Sequence, residues 1–153
     1  MRAKNNPTSG RTSGGAAAIL AESCKFMADD YMNSVKDIDD QHDKILDMYG
    51  EIVDLIASRS ESCPIIGKLR EMNVYLSLHF SAEESLMSVM NYPGKMDHTQ
   101  QHREFRDRFE IFLNKVSRGL EDYVDSIESV GLWLLGHIKT SDHEFAEYCA
   151  LQP

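Results

Sequence analysis

The sequence contains few of the features that mark secreted or membrane proteins. Its three cysteines, Cys24, Cys63 and Cys149, form no CxxC pair, which argues against a zinc clip, a redox motif and a disulfide framework. Free thiols favour a reducing, cytoplasmic location. The chain has no run of about eighteen apolar residues, so we expect no membrane insertion. The apolar segment at residues 16–21 is too short for a secretory signal.

Basic residues are also scarce. The chain has 16 lysines and arginines against 25 acids, giving a net charge of -9. Because phosphate binding needs a basic face, we expect no nucleic acid partner. An acidic surface chiefly maintains solubility, and bound cations would offset part of the charge.

The length of 153 residues fits one domain with a substantial core. Residues 1–21 are rich in asparagine, serine, glycine and alanine, and they predict a flexible N-terminal tail because they bury little apolar surface. A plain leader and a functional segment both remain open for this tail. Residues 22–153 are assigned to the folded domain, in which residues 26–35 are interpreted as an arm.

Four helical patterns follow, because apolar residues recur at intervals of three and four. They cover about residues 38–57, 65–90, 96–117 and 121–146. Asn91-Tyr92-Pro93-Gly94 separates the second pattern from the third. Short connections and the lack of strand-like alternation predict an all-α protein, an up-down-up-down four-helix bundle with an N-terminal arm.

Histidines and acids interrupt these apolar stripes. A single buried histidine is usually a hydrogen-bonded core residue, and one HxxxH pair is a weak signal. Seven such groups together would be costly in a core without a cation. Imidazole and carboxylate ligands suit iron, manganese or zinc, and seven exceed the needs of one ion, so we predict a dinuclear site. The candidate ligands are His42, His79, Glu83, His98, His102, His137 and Asp142.

Asp142 departs from simple helical geometry. It follows His137 by five residues, which places it about 140° away on an ideal helix. Either the helix deforms near its end, or Asp142 reaches the site sideways. Glu84 is expected to face solvent or to support a ligand, and His143 is expected at the surface.

Several segments resemble the hemerythrin family, in particular its bacterial members. The resemblance spans about residues 26–148 and includes all seven candidate ligands at the family's local spacings. Phe26 and Met27 lie where a family tryptophan is expected, Ser34 replaces a glycine, and Phe145 replaces a tyrosine. The matching segments are residues 38–42, 79–87, 91–93, 98–102 and 133–142.

The resemblance implies a non-heme diiron site that binds dioxygen. One iron would be held by His98, His102 and His137. The other, held by His42 and His79, would keep an open position for dioxygen. Glu83, Asp142 and an oxo or hydroxo group would bridge the two ions. Apolar residues that would keep water from the bound dioxygen are Ile45, Phe80, Trp133, Leu134 and Ile138.

The first functional hypothesis is therefore reversible dioxygen binding without enzymatic turnover, for carriage, storage or delivery to an oxygen-consuming enzyme. A second is an oxygen or redox sensor, which the lack of an attached output domain disfavours. A third is a diiron enzyme acting on peroxide or nitric oxide. Carboxylate-rich diiron proteins use Glu-x-x-His pairs, and this sequence has none, which favours binding over catalysis.

Overall fold

Long helices account for almost all of the regular structure. The computed structural model describes residues 14–58, 61–119 and 123–152, with side chains described from residue 36 onward except at residues 123 and 125. The helices are α1 (Gly14–Ala57), α2 (Ser62–Val89), α3 (Lys95–Ser117), α4 (Tyr123–His137) and α5 (His143–Ala150), with a π-helical turn at Ile138–Asp142 between the last two.

The all-α prediction is confirmed, and no strand occurs among the described residues. The predicted bounds of the second and third helices are within three residues of those observed. α1 begins at Gly14 rather than near Ile38. Alanine is the strongest helix former, and residues 16–49 contain neither glycine nor proline, which explains the earlier start.

The chain divides into two compact units, Met1–Asn33 and Ser34–Pro153. In the first unit, the described residues 14–33 form the beginning of α1. The tail predicted for residues 1–21 lies partly outside the described residues and stays a prediction. The arm predicted for residues 26–35 also stays a prediction, because no side chain is described there.

The second unit has a hydrophobic core to which all four long helices contribute. Fully buried residues include Ile52 of α1, Leu69 and Met72 of α2 and Phe109 of α3. Val130, 8% exposed, joins this core from α4. Among the described helices, none is long and apolar enough to cross a membrane.

The turn between α2 and α3 is anchored to α5. The Tyr148 hydroxyl donates a hydrogen bond to the Met90 carbonyl at 3.1 Å. The Tyr92 ring packs against Phe145 and Tyr148, with ring centroids 5.0 and 5.1 Å apart. The turn is therefore fixed against the C-terminal helix that follows the π-helical turn.

Candidate metal centre

Seven polar side chains meet at one end of the hydrophobic core. On α1 and α3 they precede the core residues of the helix. On α2 they follow all the core residues except Phe80, and His137 and Asp142 follow the core residues of α4. Because neighbouring helices of an up-down bundle run in opposite directions, this alternation places all of them at the same end. None is more than 8% exposed: His42, His79, Glu83, His98, His102, His137 and Asp142.

The π-helical turn places Asp142 in this cluster. A π-helix pairs residues i and i+5, so five residues make roughly one turn instead of overshooting it. Asp142 therefore returns to the face of His137, and its Oδ1 lies 3.0 Å from His137 Nε2. Of the two alternatives for Asp142, deformation of the helix is the one observed.

Three ring nitrogens converge on one point. The Nε2 atoms of His98 and His102 lie 3.0 and 2.9 Å from Nε2 of His137. Adjacent ligands of an octahedral ion with bonds of about 2.1 Å would be about 3.0 Å apart. The spacing of this three-histidine group (His98, His102 and His137) therefore fits around a cation.

Glutamines fix the orientation of two of the histidines. His79 Nδ1 donates to Gln41 Oε1 and His137 Nδ1 donates to Gln101 Oε1, each at 3.0 Å. Because the amide oxygen can only accept, the proton of each ring belongs on Nδ1. The lone pair of Nε2 then faces the cluster, as a metal ligand requires.

His102 has a charged partner instead. Its Nδ1 donates to Glu84 Oε1 at 3.1 Å, and the Arg106 guanidinium donates to the same oxygen at 3.3 Å. A carboxylate partner of this kind fixes the orientation of a metal-ligating ring. Glu84 thus supports a candidate ligand, which settles the alternative that the sequence left open.

The two carboxylates lie between the rings without satisfied hydrogen bonds. Asp142 Oδ1 is 3.0 Å from His98 Nε2, and its Oδ2 is 3.0 Å from His42 Nε2. Glu83 Oε2 lies 3.3 and 3.4 Å from Nε2 of His102 and His98. None of the four carboxylate oxygens has a partner with hydrogen-bond geometry. Buried oxygens of this kind need compensation, and a cation would supply it.

The pKa values of the buried groups also indicate that the two carboxylates are stabilised by a positive charge. Burial lowers the pKa of His79 to about 4, which leaves the ring neutral at pH 7. Burial lowers the pKa of His98 too, but Asp142 and Glu83 outweigh it and raise that pKa to about 9. Burial raises the pKa of Glu83, yet His102 and His98 lower it to about 2. The carboxylates thus stay ionised and draw a proton onto His98 when no metal neutralises them.

The ligand atoms fall into two groups that share one carboxylate. One group contains the three-histidine group with Glu83 and Asp142, and the other contains His42, His79 and Asp142 again. Within each group the atoms lie within 4.8 Å of one another. The residues therefore fit two ions with unequal numbers of histidine ligands; their assignment as ligands stays a prediction.

Apolar side chains surround the cluster on the core side. Phe80 stacks on His102 with ring centroids 4.1 Å apart, and Trp133 stacks on His137 at 4.5 Å. Two rings of the predicted oxygen pocket therefore contact candidate ligands directly. Burial differs among its five residues: Ile45, Phe80 and Leu134 are buried, whereas Trp133 and Ile138 are partly exposed.

His143 lies outside the cluster, as expected. It is exposed and its Nε2 is 3.4 Å from Glu147 Oε1. The sequence interpretation missed the roles of Gln41 and Gln101. Each directly precedes a candidate ligand in a Gln-His pair, and that repetition is the signal that could have identified them.

A helical bundle with a buried histidine and carboxylate cluster defines a class of metal-binding protein. The chain belongs to the hemerythrin family: the family model described as the hemerythrin HHE cation binding domain matches residues 33–149. This match confirms the resemblance found in the sequence motifs.

Curated relatives cover most of the chain. A bacteriohemerythrin of Stenotrophomonas maltophilia is 29% identical over 78% of this chain and 77% of its own length. A bacteriohemerythrin of Clostridium acetobutylicum is 22% identical over 78% of this chain and 96% of its own length. A hemerythrin-like protein of Naegleria gruberi is 28% identical over 71% of this chain and 80% of its own. No solved structure gave a significant match.

Proposed function

We propose that this protein binds dioxygen reversibly at a pair of iron ions, for carriage, storage or delivery to an oxygen-consuming enzyme. The observation that carries the proposal is the division of the ligand atoms into unequal groups sharing Asp142. Three histidines would hold one ion and His42 and His79 the other; the shared Asp142 and, as the family resemblance implies, Glu83 would bridge them. A ferrous pair supplies two electrons that dioxygen can accept and return.

The chain's own residues favour binding over further chemistry. Neutral imidazoles donate less charge than carboxylates, which stabilises ferrous iron. Phe80 packs against the rings of His79 and His102, and Ile45 and Leu134 are buried in the same hydrophobic core. Apolar side chains limit the water and protons that would lead to irreversible oxidation of the iron.

The test starts with anaerobic loading of ferrous iron and a metal analysis, which should give two irons per chain. Exposure to air should then change the visible absorption, and argon should reverse the change over repeated cycles. His79→Ala should abolish the oxygen-dependent change because it removes a ligand of the two-histidine ion. His143→Ala, an exposed histidine outside the cluster, is the control and should behave as the wild type.

Other outcomes favour other functions. A single oxidation that argon does not reverse would contradict the carrier function. Sustained consumption of peroxide or nitric oxide by the loaded protein would instead favour the diiron enzyme. One zinc ion per chain would contradict the dinuclear site.

A further inference from the structure

A small cavity adjoins the candidate metal centre on the side of the carboxylates. It lies between the start of the bundle part of α1, the end of α2 and α5, and its volume is about 20 Å³. That is room for about one water molecule or one small ion. Its walls include Asp39, His42, Glu83, Asp142, Phe145 and Ala146.

The polar groups of this cavity are arranged from the surface inward. Asp39 is the one exposed residue in its wall, with 71% of its side chain exposed. Asp39 Oδ1 lies 3.9 Å from His42 Nδ1, and His42 Nε2 lies 3.0 Å from Asp142 Oδ2. Oxygen and nitrogen atoms that can bind a metal ion therefore follow one another from solvent to the buried carboxylates.

The remaining wall is apolar except for the Cys149 thiol. Phe145 is 3% exposed and stands where the family resemblance led us to expect a tyrosine. Leu86 and Ala146 are half-buried beside it. A cation in the cavity would find charged ligands along the line from Asp39 to Asp142 and at Glu83. The Cys149 thiol also lines the cavity, but burial raises its pKa to about 11, so it stays protonated and uncharged at pH 7.

We propose that this cavity is the route by which divalent metal ions enter the centre, and that Asp39 is the residue that captures them at its mouth. This inference rests on the proposed metal centre. A hydrated ion sheds its waters reluctantly, and a carboxylate at the mouth replaces the first of them. The unsatisfied oxygens of Asp142 and Glu83 then draw the ion inward.

A different role for Asp39 is to orient His42 through its Nδ1. The two roles differ in what they change. A residue on an entry route alters the rates of entry and exit by the same factor and leaves the equilibrium affinity unchanged. A residue that positions a ligand alters the affinity, chiefly through the rate of loss.

The experiment uses Co²⁺, which accepts the same nitrogen and oxygen ligands. Release from the loaded protein to excess chelator and re-uptake by the stripped protein are both timed. Asp39→Asn should slow uptake roughly 3- to 10-fold, at the low end of the acceleration that a steering charge provides. Release should slow by the same factor, because on this route the Asp39 carboxylate also takes the ion on its way out. Ala146→Leu should slow both rates by filling the cavity. Asp40→Asn is the matched control, since it removes the same charge from an exposed neighbour outside the cavity wall.

The outcomes distinguish an entry route from the other roles of Asp39. Equal slowing of uptake and release in Asp39→Asn, with wild-type rates in Asp40→Asn, supports the route. A weaker affinity with unchanged uptake would show that Asp39 positions His42. Equal effects in Asp39→Asn and Asp40→Asn would show that only the overall negative charge matters. Either result would contradict the entry route and leave the proposed metal centre untouched. A wild-type chain that binds no ion would overturn the metal centre as well.

Discussion

At the scale of single residues, the candidate histidine ligands differ most in the hydrogen-bond partners of their Nδ1 atoms. His79 and His137 each donate to a neutral glutamine, whereas His102 donates to the Glu84 carboxylate. The three-histidine group therefore contains one ring with a charged hydrogen-bond partner. Arg106 shares the Glu84 oxygen and lies over the Phe80 ring at 5.9 Å. A single surface-facing ion pair thus fixes both a ligand and the ring stacked on it.

This arrangement makes Glu84 a sensitive position for metal retention. We expect Glu84→Ala to weaken metal affinity about 10- to 100-fold, as loss of such outer partners typically does. Glu84→Gln should fall between Glu84→Ala and the wild type, because its amide oxygen still accepts from His102 but carries no charge. Competition with a chelator of known affinity measures both effects.

Glu104 provides the control for charge. It lies on α3, is exposed, accepts a hydrogen bond from Gln100 Nε2 at 3.0 Å and lies 3.8 Å from Arg108. Glu104→Gln should leave the affinity unchanged. Equal losses in Glu104→Gln and Glu84→Gln would show that overall charge, not the bond to His102, determines retention.

At the scale of elements, the segment from α4 through the π-helical turn to α5 shows how a local irregularity serves the site. Its buried residues follow intervals of three and four except between His137 and Asp142, where the interval is five. The π-helical turn absorbs the extra residue, so that Phe145 and Cys149 still face inward beyond it. In a straight α-helix, Asp142, Phe145 and Cys149 would together be turned about 80–140° away from the face of His137.

The contact between α1 and α4 depends on a glycine in a similar way. Gly131 is buried, and a Cβ at this position would overlap the ring of Tyr49. We expect Gly131→Ala to lower the free energy of unfolding by about 1–3 kcal/mol, because overpacking outweighs the better helix propensity of alanine. Chemical denaturation of the metal-loaded protein measures the change.

Gly67 of α2 allows the effect of helix propensity to be measured without a change in packing. It is exposed, and a Cβ there would meet nothing within 4 Å. Gly67→Ala should therefore raise the free energy of unfolding by roughly 0.5–1 kcal/mol. A Gly131→Ala variant that gains stability as Gly67→Ala does would refute the close packing of the two helices.

At the scale of the whole molecule, one end of the bundle is an ordinary apolar core and the other holds an uncompensated polar cluster. Five imidazoles and two carboxylates are buried together, and isolated buried charges are costly. The part of the fold that is most costly to bury therefore lies where a cation would bind. Metal binding and folding are therefore expected to be coupled.

Removal of metal should lower the melting temperature of the loaded protein. At 100 times the dissociation constant, a bound ion adds about 2.7 kcal/mol, and 1 kcal/mol corresponds to about 2–4 °C in a protein of this size. We expect a chelator to reduce the melting temperature by at least about 5 °C, measured by circular dichroism. Fe²⁺ or Co²⁺ should restore it, and Mg²⁺, which prefers oxygen ligands, should not. An unchanged melting temperature after verified metal loss would contradict this coupling.

The sequence by itself determined the fold class and the residues to examine, because helical periodicity and HxxxH and HxxxE spacings are local properties. His98 and His102 could be placed on one face without knowledge of any other helix. The tertiary structure decided what depends on neighbours. It set the π-helical turn that returns Asp142 to His137, and it paired Gln41, Gln101 and Glu84 with histidines of other helices. Those contacts join residues 18 to 38 positions apart, and only the packing of helices brings such residues within hydrogen-bond distance.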